Sequence, residues 1–169
     1  MSAMVQPRAV LSLRPLTSSD QSHFRQAWEW MQERPDLYSD NEGYYDLAEF
    51  LNPPDVLRYY GLFESGQLIG VASFRLEGKK ACRFGLIAPP LPRFRSIASL
   101  LFELQRQFFE GFGGEALWIY VPPHSHEVAQ KLVGWFGWKP IAPGLFTFTI
   151  FDYLNYEQQK DATGRTASH

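Results

Sequence analysis

Between Tyr59 and Ile87 the sequence holds three extended runs, Tyr59–Glu64, Leu68–Leu76 and Ala81–Ile87, joined by very short links. Ser65-Gly66 is a two-residue turn, and Glu77-Gly78-Lys79-Lys80 spans four residues. Strands joined in this way lie antiparallel, because a parallel return needs a crossover of about a dozen residues or more. The centre of the chain is therefore committed to a meander. Pro89, Pro90 and Pro92 follow it as a stiff, non-helical exit.

The flanks have a different rhythm. Val10 to Arg14 alternates and predicts a strand that Pro15 stops. Thr17-Ser18-Ser19-Asp20 offers capping side chains for a helix whose Phe24, Ala27, Trp28 and Met31 share one face. On that stripe Trp28 belongs to the core, and Trp30 falls off it toward solvent. Pro35 ends this helix, and Tyr44 to Leu51 predicts a second one closed by Pro53-Pro54. Beyond the meander, Ile97, Leu100, Leu101, Leu104 and Phe108 define a long amphipathic helix that ends near Gly111 to Gly114. Ala116 to Val121 reads as a strand. Ser125 can cap a helix carrying Ala129, Leu132, Val133 and Phe136, which Gly137 closes. Phe146 to Phe151 is the last strand. Strands separated by a helix can lie parallel, so the expected fold is α/β: a central mixed sheet of about six to seven strands flanked by helices.

A length of 169 residues suits one domain, read here as residues 10–154. Residues 1–9 form a loose lead-in, and residues 155–169 a disordered polar tail. No run approaches the ~18 apolar residues of a membrane span, and the first ten residues lack a signal-peptide pattern, so a cytoplasmic protein is expected. A formal charge of −2 gives no global attraction to nucleic acid or to an acidic membrane. The one cysteine, Cys82, excludes an internal disulfide and reads as a buried structural thiol. The four histidines do not have metal-ligand spacing with carboxylates, so no metal is expected.

The element order and several local sequences resemble the GNAT superfamily of acyl-CoA-dependent N-acyltransferases over roughly residues 10–151. Leu13-Arg14-Pro15-Leu16-Thr17-Ser18-Ser19-Asp20 is similar to the family's first strand and helix start. Arg93-Phe94-Arg95-Ser96-Ile97-Ala98 is similar to its cofactor motif, Arg/Gln-x-x-Gly-x-Gly/Ala, with Ser96 and Ala98 in place of glycines. A helix start offers free backbone N–H groups to a pyrophosphate, and small side chains leave room for it to approach. The resemblance implies that Arg93, Arg95, Ser96, Ile97 and Ala98 hold the cofactor's diphosphate. It also implies that Ala81–Ile87, ending in Leu86 and Ile87, gives backbone groups to the pantetheine arm. The plainer reading of this segment is a solvated helix start with two surface arginines.

The stretch His126 to Trp138 is similar to the family's Asn-x-x-Ala-x-x-Leu-Tyr-x-x-x-Gly-Phe. Ala129, Leu132 and Gly137 stand at matching positions, with Trp138 as the final aromatic. Two departures bear on chemistry. His126 replaces the asparagine. Val133 replaces the tyrosine that often protonates the leaving thiolate, and valine has no proton to give. Ala81–Ile87 also lacks the glutamate that many members use as general base, and Glu77 comes too early. Tyr120 and His126, with His124 beside it, are the remaining candidates for proton transfer. Their plainer readings are an outward sheet residue and a solvent-facing helix start.

The implied function is direct transfer of an acyl group from acetyl-CoA, or another acyl-CoA, to a small-molecule or protein amine. Asp36, Asp40, Glu42, Asp46 and Glu49 would suit an amine acceptor, or a solvated helix face. Trp28-Glu29-Trp30 and Tyr44-Tyr45 could line its pocket, or an interface patch, or the core. Leu117 to Val121 and the Arg-Phe-Arg helix start also resemble GNAT-like proteins of tailed bacteriophages. That weaker likeness implies the alternative: a catalytically silent binding or assembly protein with a homodimer or virion-type partner. Neither reading involves nucleic acid or a membrane.

Overall fold

The computed structural model describes residues 10–35, 50–53, 55, 57–78, 80–121 and 126–167, of which 126 and 160–167 by backbone alone. The chain runs through β1 (Leu11–Pro15), α1 (Gln21–Glu33), β2 (Leu57–Glu64), β3 (Gln67–Leu76) and β4 (Ala81–Ile87). It continues through α2 (Phe94–Arg106), extended by a π-helical turn at Gln107–Gly111, then β5 (Ala116–Tyr120) and α3 (His126–Phe136). β6 (Lys139–Ala142), β7 (Leu145–Thr149) and α4 (Ile150–Ala167) complete it. The lead-in at 1–9 and most of the expected second helix at 44–51 lie outside the described residues.

One seven-stranded sheet has the order β1-β2-β3-β4-β5-β7-β6. Among the described residues only β4 and β5 pair in parallel, and every other neighbouring pair is antiparallel. The mixed sheet flanked by helices is thus the expected architecture. Two apolar cores form on its opposite faces. One gathers Phe24, Ala27, Trp30 and Met31 of α1 with Phe50, Tyr59, Phe63, Val71 and Ile87. The other gathers the α2 stripe with Leu62, Phe74, Phe84, Leu132, Phe136, Trp138 and Phe148. Each such side chain contributes about 1.5–3 kcal/mol when fully buried. Phe108 and Phe109 are adjacent yet both buried, in the widened turn that ends α2, and Tyr153 stacks on Phe109 at 5.0 Å.

Several local expectations change. Trp30 is buried and Trp28 only partly so, because Trp30 follows Ala27 by three residues and continues the Phe24–Ala27 face. The last strand stops at Thr149 rather than Phe151. There Thr149 and Asp152 exchange hydrogen bonds in the reciprocal pattern of a helix start: the Thr149 N–H and Oγ1 reach Asp152 Oδ2 at 2.9 Å, and the Asp152 N–H reaches Thr149 Oγ1 at 3.3 Å. α4 then continues through the polar stretch from Asn155 to Ala167 that the sequence reads as a tail. β6 has no counterpart in the sequence reading, since its four residues are all exposed and carry no alternation.

Asp20 stands at the start of α1, but its side chain does not cap the helix. Its carboxylate instead accepts from the Arg14 guanidinium at 2.9 and 3.1 Å and from the Thr17 N–H at 2.8 Å, tying β1 to the loop before α1. Arg14 first, then the Thr17 amide, hold its carboxyl at about 2. The folded value lies below the unfolded one, so between them the unfolded chain binds more protons. The tie contributes fully above about pH 4 and is lost as pH falls toward 2. Asp20→Asn is expected to cost about 1–2 kcal/mol in urea unfolding at pH 7. The gap to the wild type should close as both proteins are taken toward pH 2.

Candidate functional site

The parallel ladder between β4 and β5 is three residue pairs long: Ala81 with Ala116, Cys82 with Leu117, and Arg83 with Trp118. Beyond it each strand keeps only its outer partner. β4 stays with β3 as far as Ile87 against Val71, and β5 stays with β7 as far as Tyr120 against Leu145. The two strands therefore part after Arg83 and Trp118, where the Arg83 guanidinium sits 5.2 Å over the Trp118 ring. Backbone groups from Phe84 to Ile87 face this opening outside any ladder with β5, the kind of edge to which an extended amide-bearing chain can hydrogen-bond.

α2 begins at the same end of the sheet. Arg93 occupies its N-cap position without a side-chain cap, and the first helical bond runs from the Ile97 N–H to the Arg93 carbonyl at 3.0 Å. The amides of Phe94, Arg95 and Ser96 precede that bond and have no acceptor within the helix by geometry. The first turn carries no acidic residue. Arg93 and Arg95 are exposed, Ser96 is half-buried, and Ile97 and Ala98 are buried. Gly70 joins the two elements. A Cβ built on it would lie 3.5 Å from the Ile87 carbonyl oxygen and 3.7 Å from Ile97 Cδ1. Leu86, Ile87 and the Arg93–Ala98 segment are thus gathered in one place. Ile97 and Ala98 nonetheless turn their side chains into the core.

The structure adds one residue that the sequence reading did not single out. Glu64, the last residue of β2, accepts hydrogen bonds from Ser96 Oγ at 2.7 Å and from the Arg93 guanidinium. Tyr60, Leu62 and Glu64 alternate onto the α2 face of β2, which aims the carboxylate at the helix start. The Ser96 hydroxyl first, then Arg93, hold the Glu64 carboxyl below the usual range, so it is charged at neutral pH. No local pattern signals this contact, because its partners lie 29 and 32 residues away.

Tyr120 ends β5 on the face opposite Leu117 and Ile119, and it is exposed. Its ring lies against the β6–β7 turn, where a Cβ on Gly144 would come within 3.2 Å of it. Val133 is exposed on α3. His126 opens α3, whereas His124 and Ser125 lie outside the described residues. The α3 terminus follows its motif: the Gly137 N–H bonds the Val133 carbonyl and the Trp138 N–H the Leu132 carbonyl, with Gly137 at φ 74°. Cys82 is buried, and desolvation first, then Glu77, raises its thiol to about 11, so it is no nucleophile at neutral pH. Among the described residues no group of three or more His, Cys, Asp or Glu could hold a metal ion, and no helix is long and apolar enough to cross a membrane.

This is the fold of the GNAT N-acetyltransferases. The structure is similar to N-acetyltransferase PseH of Campylobacter jejuni in complex with acetyl coenzyme A, with a TM-score of 0.61 and 23% identity over 83% of this chain and 99% of that one. It is also similar to mutant forms of the spermidine/spermine N-acetyltransferase SpeG from Vibrio cholerae, with a TM-score of 0.69 and 15% identity over 87% and 98% of the two chains. A dodecameric structure of spermidine N-acetyltransferase from Vibrio cholerae gives a TM-score of 0.66 and 15% identity over 86% and 97%. No protein-family model matches the sequence, and no curated protein matches it.

The turn that backs Tyr120 depends on one glycine. Gly144 has φ 76°, its carbonyl accepts the Val121 N–H at 2.7 Å, and a Cβ there would stand 2.8 Å from the Val121 carbonyl oxygen. Gly144→Ala meets both a disfavoured φ and a backbone clash. It is expected to lose more than about 1 kcal/mol in thermal or urea unfolding.

Proposed function

We propose that this chain is an acyl-CoA-dependent N-acyltransferase that passes an acyl group, acetyl first among them, directly to an amine. The observation that carries this reading is the meeting of two features at one end of the sheet: the opening between β4 and β5, and the uncapped, arginine-bearing start of α2. Both occur in a fold that PseH uses in complex with acetyl coenzyme A.

The residues suit such a cofactor. Arg93 and Arg95 would contact the diphosphate, and the Phe94, Arg95 and Ser96 amides would receive its oxygens, as phosphates are received at helix N-termini. Serine at 96 is small enough to leave those amides reachable. The backbone of Phe84 to Ile87, with Leu86 and Ile87 at the mouth, would bond the pantetheine amides. Bound acetyl-CoA supplies an activated thioester. What the chain adds is positioning of amine against carbonyl, which can provide much of the rate in a direct transfer. Tyr120 is proposed to give a proton to the departing sulfur, with His126 as the second candidate. The acceptor is proposed to be a small amine, a class represented among the similar structures by spermidine, and the reaction is proposed to be cytoplasmic.

A second reading has specific support. Val133 offers no proton, β4 carries no carboxylate, and Glu64 holds Arg93 and Ser96. A chain that keeps this fold without its chemistry would act as a binding or assembly protein, as a homodimer or on a virion-type partner.

Calorimetric titration with acetyl-CoA separates the two. The enzyme reading expects micromolar binding, and saturation at ~100 times Kd should stabilise the fold by about 2.7 kcal/mol. Absence of binding to acetyl-CoA, CoA and longer acyl-CoAs would favour the second reading. Ser96→Glu places a carboxylate over the helix amides and is expected to abolish binding in a protein that still folds; unchanged affinity would remove the α2 start from the site. Tyr120→Phe is expected to lower kcat on the order of 10²-fold while leaving the acetyl-CoA Kd unchanged. Equal turnover would remove Tyr120 from proton transfer.

A further inference from the structure

The helix start that would receive a diphosphate already holds an anion supplied by the chain itself. Arg93, at the N-cap, and Ser96, in the first turn of the same helix, donate to the same carboxylate of Glu64. The two sides of this contact differ in freedom. The Glu64 side chain is 12% exposed and the Arg93 side chain 56%. Glu64 is also fixed by its strand. The Ser65-Gly66 turn behind it has positive φ at both residues, 50° and 80°, and the Ser65 N–H bonds the Val10 carbonyl at 2.7 Å, pinning the hairpin end to the chain just before β1. The carboxylate is therefore a rigid, ionised group at the α2 start, and the arginine is the arm that can move.

We infer that Glu64 sets the affinity of this chain for coenzyme A, by holding Arg93 and Ser96 and by presenting its negative charge where the diphosphate would come. The inference rests on the reading of the α2 start as the diphosphate site. A diphosphate that takes Arg93 must draw the guanidinium away from Glu64. It then sits beside a carboxylate that has lost its counter-charge, and at this short range the two anions repel each other. Arg95 is not among the donors to Glu64 and remains at the helix start, so the site keeps one basic side chain while Arg93 is engaged. The consequence is a site with its donors in place and its affinity held down by one internal competitor.

The test is calorimetric titration of wild type, Glu64→Gln and Glu64→Ala with CoA and, separately, with pantetheine, which lacks the diphosphate. Glu64→Gln keeps the shape and removes the charge; Glu64→Ala removes the contact altogether and covers the case in which the glutamine variant folds poorly. Thermal unfolding identifies the folded variants. Both are expected to bind CoA about tenfold or more tighter than wild type, equivalent to about 1.4 kcal/mol, with pantetheine affinity unchanged. Wild type that binds CoA, with variants that bind it equally or more weakly, would overturn the role of Glu64 and leave the acyltransferase reading standing. A parallel gain for pantetheine would also overturn it, by showing a general loosening of the site. Absence of CoA binding in all three proteins would overturn both.

Discussion

The three-residue parallel ladder between β4 and β5 is the constraint on which the rest depends. A longer ladder would close the sheet into one continuous surface with no opening. A shorter one would leave the β1–β4 and β5–β7 halves joined by little more than α2. Each strand is held on its outer side by an antiparallel partner, β3 for β4 and β7 for β5, so the two halves keep their own twist and separate once the shared ladder ends. The crossover between two parallel strands must climb over one face, and α2 does so with its stripe packed on Leu62, Phe74 and Phe84. Its N-terminus follows the end of β4 through a proline-rich link, so the helix starts where the strands have already parted. Opening and helix start are two results of one topology.

The broad architecture is legible in the sequence because it rests on local signals. The two- and four-residue links force the meander, the α2 stripe has helical spacing over more than ten residues, and Gly137 marks a terminus where the structure does end α3, with Gly137 at φ 74°. What the sequence reading lacks falls into two kinds. Some features have a local signal that competed with a stronger one. Thr149-x-x-Asp152 can start a helix, but the alternating Phe146–Thr149 run before it extends naturally to Ile150 and Phe151 as strand. Trp30 lies three residues from Ala27 but six from Phe24, between the usual steps of a stripe. Other features have no local signal at all. Glu64 is an ordinary polar residue before a turn, and only the fold brings it against Arg93 and Ser96.

The structure also separates two requirements that a cofactor motif merges. Small residues at positions 96 and 98 look alike in the sequence, but they serve different neighbours. Ala98 is buried in the α2 core, so its size is set by how closely the helix lies on the sheet, ligand or no ligand. Ser96 is half-buried at the helix start, and its hydroxyl already has an acceptor. Smallness at 98 is therefore already accounted for by the packing of the helix, whereas the side chains at 93, 95 and 96 are the ones left at the surface of the helix start.

The departures at Val133 and on β4 weigh differently on the proposed reaction. A thiolate is a far better leaving group than an alkoxide or an amide anion, so a missing acid costs less than a missing base. An alkylammonium acceptor ionises near 10.4, so only about one molecule in 10³ carries a free lone pair at pH 7.4. Loss of a base carboxylate is therefore the heavier loss, unless the acceptor arrives with a lowered pKa or surrenders its proton to water before it binds. In the proposed reaction Tyr120, as an acid, would address only the lighter requirement, so that reaction turns less on Val133 than on where the ammonium proton of the acceptor goes.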